Sequence, residues 1–131
     1  MAKFVVDSGA VLRLAAEKRE APAKHKLLAP TLLRSQVLSS LHETVHAGKL
    51  GQEEARERLA RFNALPIRLL GDAVLRRRAW EIADELAWAE TYAAEYVALT
   101  QLQGDALLTL DKKLARAVKG LVATAGLDVL K

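Results

Sequence analysis

Phe4-Val5-Val6-Asp7-Ser8-Gly9-Ala10-Val11-Leu12 turns from an apolar strand into a helix at a carboxylate. A parallel strand buried on both faces reads as an unbroken apolar run, and open α/β sheets bind ligands just beyond the carboxyl ends of their strands. Asp7 falls at that edge. Its simplest role, shared with Ser8, is to cap the following helix by accepting a bond from a free backbone N–H. A second strand ends in the same way, Ala106-Leu107-Leu108-Thr109-Leu110-Asp111. Right-handed crossovers bring the carboxyl ends of parallel strands to one edge, so two central strands would aim Asp7 and Asp111 into one crevice.

The rest of the chain supplies the elements such a sheet needs. Helical spacing follows the first strand over Gly9–Ala16, and the charged stretch Glu17–Lys26, with Pro22, reads as a loop or short helix. Leu27–Pro30 suits a short strand, and a long helix is predicted from Thr31 through Leu33, Val37, Leu41 and Val45, stopping before Gly48. Gln52–Phe62 is a polar helix with Ala55, Leu59 and Phe62 inward. Leu65–Leu70 reads as a strand, with Pro66 favouring its start, and Asp72 caps a helix over Ala73–Leu86. Arg76, Arg77 and Arg78 fan over roughly 200° of that helix and read as a solvated face rather than a stripe. Trp88 falls in a short loop before a helix over Glu90–Gln103. After the second Asp-terminated strand, Asp111–Val118 is helical, and Leu121–Ala123 or Leu127–Leu130 can supply a final edge strand. Strands alternating with helices imply βαβ units and a parallel sheet covered on both sides.

Composition bounds the chemistry. The 131 residues, 51% hydrophobic, suit one domain with a full core. With no cysteine, disulfides, Cys-rich zinc sites and thiol catalysis are excluded. No leader pattern and no apolar run near the roughly 18 residues of a membrane span are present, so a cytoplasmic protein without membrane association is expected. A net charge of +4 permits a polyanionic partner, while 5% aromatics argues against a base-stacking platform for single strands.

Two adjacent carboxylates repel, and a divalent cation relieves that repulsion. Hard oxygen ligands suit Mg²⁺ or Mn²⁺, which bind through few carboxylates plus phosphate oxygens, and this points to phosphodiester chemistry. Thr109 lies two residues before Asp111, on the same side of an extended strand, where it either orients a ligand or serves as an ordinary β-branched strand residue. A competing pattern is His42-Glu43-Thr44-Val45-His46, a literal H-E-x-x-H on a predicted helix. Its two imidazoles share a face and could bind zinc with Glu43 as general base. It lacks the extended motif's further glycine and histidine, names no third ligand, and Gly48 ends the helix almost at once. A solvated helix end, where His42 and His46 suit the C-terminal dipole, is the plainer reading. His25, in a charged segment with no evident partner, is expected at the surface.

The full ordered set FVVDSGAVL, LLAPTLLRSQVLSSLHETVHAGKL, TYAAEYVALTQLQGDALLTLD and KKLARAV resembles the PIN-domain ribonucleases, most closely the VapC-type toxins of toxin–antitoxin pairs. The resemblance implies a single domain over residues 1–131, a three-layer α/β/α architecture with a central, mainly parallel sheet. It also implies Mg²⁺- or Mn²⁺-dependent cleavage of RNA, a homodimer and a cognate VapB-type antitoxin held by the second helix and the polar helix after it. The family's first acid falls on Asp7, and its late Thr-x-Asp motif on Thr109 and Asp111. The acid usual on the second helix falls on Gln36, and the acid of the Asp-Ala-x-Tyr pattern falls on Ala93, within Ala93-Ala94-Glu95-Tyr96. A usual metal ligand is therefore missing, and Asp7 and Asp111 are expected to bind metal feebly. Glu95 lies about 200° around the helix from Ala93, and Glu43 is on Gln36's face but roughly 10 Å along the axis, so neither is a ready substitute. A third reading, alongside nuclease and protease, is a PIN-fold binding module that keeps its partners but not its catalysis.

Overall fold

The computed structural model describes residues 1–20 and 23–130, so the Pro22 break lies outside the described residues. Five strands, β1 (Lys3–Val6), β2 (Lys26–Pro30), β3 (Ile67–Leu70), β4 (Ala106–Leu108) and β5 (Thr124–Ala125), form one sheet in the order β3-β2-β1-β4-β5. Every pairing is parallel, with Phe4 opposite both Leu27 and Ala106, and Val6 opposite Leu108. The apolar runs now have their cause: Val5, Val6, Leu107 and Leu108 are fully buried because helices cover both faces.

The helices are α1 (Ser8–Ala16), α2 (Leu33–His46), α3 (Gln52–Ala64), α4 (Ala73–Glu85), α5 (Tyr92–Gln103) and α6 (Lys112–Ala117). The first three pack on one another, while α5 lies across β1, β2 and β4 and carries α4 on its back. With right-handed crossovers these two groups occupy opposite faces of the sheet, giving the α/β/α layering. α5 is buried nearly all round from Tyr96 to Thr100, as a helix sandwiched between sheet and helix must be.

The strand order places the site. From β1 the chain steps outward to β2 and β3, then returns past β1 to β4 and β5. The direction of winding therefore reverses between β1 and β4, and a crevice opens at the carboxyl ends of these two strands. Their close approach depends on Gly104, where a Cβ would stand 2.9 Å from Val5 Cγ2 and 3.4 Å from the Lys3 carbonyl oxygen. Asp105 then ties the start of β4 to β1, its carboxylate accepting from the Lys3 N–H at 2.8 Å.

Several boundaries differ from expectation for local reasons. Helix α2 begins at Leu33, not Thr31, because the Thr31 N–H donates to the Leu70 carbonyl and continues the β2–β3 ladder. β3 begins at Ile67, just after Pro66, which has no N–H to give a ladder. The last strand is Thr124–Ala125, between the two stretches predicted for it, and Leu127–Leu130 is a 3₁₀ turn. The i, i+3 spacing of that turn buries Leu127 and Leu130 together. His25 is partnered: its Nδ1 accepts from the Ala2 N–H at 3.1 Å, and its ring meets Phe4 edge-on. Arg78 departs from the bare solvated face by binding Gln101, Glu81 and Glu85.

Candidate active site

Asp7 follows β1 and caps α1, its Oδ1 accepting from the Ala10 N–H at 2.9 Å. Asp111 follows β4 and caps α6, its Oδ1 accepting from Lys113 and Leu114 at 2.9 and 3.1 Å. The capping role and the position at the sheet edge thus coexist. A carboxylate has about four lone-pair positions, so capping leaves each acid able to face a ligand. Between the two strand ends, the Asp7 N–H donates to the Leu108 carbonyl at 3.3 Å and holds the acids in one corner.

Burial raises the pKa of Asp7 above the ordinary aspartate range, the Thr109 hydroxyl and the Ala10 N–H oppose that shift, and the nearby charge of Asp111 adds to it. Thr109 is buried, and its hydroxyl also accepts from the Asp111 N–H at 3.1 Å. This one side chain thus meets the Asp7 carboxylate and the Asp111 backbone.

A cleft of about 550 Å³ opens from Asp7 and Ser8, with Gln36, Ala93 and Tyr96 in its wall. The buried Tyr96 hydroxyl donates to Gln36 Oε1 at 2.6 Å. Burial, followed by the negative charges of Asp7 and Glu95, raises the Tyr96 pKa, so it stays a protonated donor. The bond from Tyr96 fixes the Gln36 side chain, whose amide protons suit a phosphate oxygen and whose oxygen carries no charge for a cation. Ala93 presents only a methyl group to the cleft.

Asp111 is exposed beside the cleft and, like Thr109, outside its lining; the remaining candidates lie further off. Glu95 is half-buried on α5 beside Tyr96 and outside the cleft lining; burial raises its pKa, and Arg76 lowers it in part. Glu43 is exposed and accepts from Ser39 at 3.1 Å on its own helix. His42 and His46 are exposed near the end of α2. Among the described residues, no group of three or more His, Cys, Asp or Glu side chains is arranged to hold a metal ion. The H-E-x-x-H pattern thus lacks its third ligand. Sequence reasoning left Trp88 as a loop residue and Tyr92 as part of a helical pattern, yet both line the cleft with Asp7. Their signal was proximity in sequence to Ala93, across the turn between α4 and α5.

Over 115 residues the chain is 31% identical to the VapC ribonuclease Mb0985 of Mycobacterium bovis, covering 86% of this chain and 88% of that protein. Ribonuclease VapC9 of Mycobacterium tuberculosis matches with the same identity and coverage. Among solved structures, PAE2754 from Pyrobaculum aerophilum superposes with a TM-score of 0.74 at 22% identity, covering 98% of this chain and 92% of that one. VapBC2 from Rickettsia felis, bound to a DNA fragment from its promoter, gives a TM-score of 0.66 at 11% identity, covering 95% and 98%. No family model matches the chain.

Proposed function

Because the chain belongs to the VapC ribonucleases, toxins of the PIN-domain family, we propose that it cleaves RNA at the Asp7–Asp111 corner, with activity weakened by Ala93 and Gln36. The observation that carries this reading is the meeting of Asp7 and Asp111, from strands far apart in sequence, at the reversal of strand winding. Asp7 and Asp111 fit a loosely held, largely hydrated Mg²⁺ or Mn²⁺, because such ions commonly bind through one or two carboxylates plus substrate phosphate. When bound, the ion would polarise a phosphate oxygen and lower the pKa of a coordinated water. Thr109 positions the Asp7 carboxylate through its hydroxyl and the Asp111 backbone through the Asp111 N–H, and Gln36, fixed by Tyr96, donates an amide N–H to the phosphate. Ala93 adds no charge, so affinity for the cation is low.

The test is cleavage of a fluorogenic RNA. Slow cleavage that stops with chelator and with Asp7→Ala, and rises with Ala93→Asp, is the expected result. Cleavage indifferent to chelator and to Asp7→Ala would contradict it. The methyl group at Ala93 also favours a second reading, a PIN-fold module that binds RNA without cutting. RNA binding with no cleavage, even after Ala93→Asp, would establish that reading instead.

Partners follow from the surface. The apolar groove of about 310 Å³ between α2 and α3, lined by Leu38, Leu41, Val45, Ala55 and Leu59, suits a VapB-type antitoxin. Val74 and Leu102, exposed on α4 and α5 and lining one surface pocket, suit a homodimer contact. No helix among the described residues is long and apolar enough to cross a membrane.

A further inference from the structure

The chain has two tryptophans, two tyrosines and two phenylalanines, and Trp88, Tyr92 and Tyr96 all line the cleft that begins at Asp7. Tyr96 is spent on the core and on Gln36. The other two are not explained by packing alone: Tyr92 is 54% exposed at the first turn of α5, and Trp88 is only partly buried against the core. The backbone holds Trp88 in place. Helix α4 ends with the Trp88 N–H on the Ala83 carbonyl at 2.8 Å and the Ala87 N–H on that of Asp84 at 3.2 Å. These are the two bonds of a Schellman cap, and Ala87 adopts the left-handed φ of 56° that this cap demands and that glycine would adopt more readily. The same cap ends α1, where Lys18 has the same φ, and at α4 it fixes where the Trp88 indole enters the cleft.

We propose that Trp88 and Tyr92 form a nucleobase site, stacking a base next to the phosphate held at the Asp7–Asp111 corner. This rests on the proposed RNA-cleaving role of that corner. Flat, uncharged aromatic faces beside acidic groups suit the face of a base, which every nucleotide carries one sugar away from its phosphate. The low aromatic content argues against a base-stacking platform for single strands, but it is the placing of two of the six aromatic rings in one cleft, not their abundance, that serves a single base. A site of this kind selects single-stranded RNA, because a base stacked in a duplex does not present its face.

Trp80, 67% exposed, can be replaced by Phe so that Trp88 is the only indole. Two short strands of equal charge serve as probes, an all-2′-O-methyl oligoadenylate and a fully abasic tetrahydrofuran–phosphate strand. We expect the oligoadenylate to quench Trp88 emission and to bind about tenfold more tightly than the abasic strand. Tyr92→Ala should erase most of that tenfold difference, and Trp88→Phe, which keeps a ring, should preserve more of it than Trp88→Leu. Equal affinity for the two strands, or binding without quenching, overturns the site, and so does failure of the oligoadenylate to bind. The cleavage reading is judged separately with Ala93→Asp. Cleavage without base-dependent quenching removes only the base site, and quenching without cleavage in any variant removes only the nuclease.

Discussion

Two regions of this molecule offer metal-ligand chemistry, and they differ instructively. His42-Glu43-x-x-His46 matches a known pattern letter for letter on a single helix, yet its side chains are exposed and meet no third ligand among the described residues. Asp7 and Asp111 match nothing when taken alone and are separated by most of the chain, yet strand order brings them to one corner with a buried threonine between them. Local spacing says which side chains can share a helix face. Only topology decides whether a second element arrives to complete a site.

Removing one member from each region separates the two. In the Ala93→Asp background, Asp7→Ala should lower RNA cleavage by about 10²–10³, the usual loss for one preorganised electrostatic partner. His42→Ala should leave the rate within about twofold, and the reverse pattern would move the chemistry to α2. The next effect concerns how the corner is assembled. Gly104→Ala forces a methyl group against Val5 and should destabilise the fold by about 1–3 kcal/mol in urea titration. A loss too small to measure would show that β4 can shift away from β1. Tyr96→Phe removes the 2.6 Å bond to Gln36 and should cost about 1 kcal/mol, with a rise in KM larger than the fall in kcat.

The subtlest effect is on pH. Burial raises the Asp7 pKa above the ordinary value of about 3.9, so between that value and its raised pKa the folded chain holds a proton that the unfolded chain has lost. Stability from this residue is full below the window and falls as pH rises through it. Asp7→Asn keeps a capping side chain and should stabilise the metal-free protein at neutral pH, with the gain vanishing in acid. Thermal melts in chelator at several pH values check this, and an Asn variant less stable at every pH would show that the cap, not burial, dominates at Asp7.

The fold was largely legible because its cause is periodic. Doubly covered strands such as Phe4–Val6 and Ala106–Leu108 read as apolar runs, and capping residues such as Asp72 mark helix starts. Asp7 and Asp111 were legible because each ends such a run. The last strand was not, since two residues of ladder at Thr124–Ala125 carry no period, and His25 was not, since its partner Ala2 is a backbone group 23 residues away. Trp88 and Tyr92 escaped for a related reason. Their role depends on a turn that carries them to the cleft, and no pattern within α4 or α5 encodes the neighbour they meet there.

Two acids remain at a corner where the family resemblance places more, and Mg²⁺ binding is the direct measure of what they retain. Isothermal titration of the chain as it stands should give weak binding, and Ala93→Asp should tighten it by at least about tenfold, as inner-sphere carboxylates outweigh the 10–100-fold typical of outer-shell groups. Micromolar affinity in the unaltered chain, or no gain from Ala93→Asp, would mean that Ala93 does not mark a missing ligand.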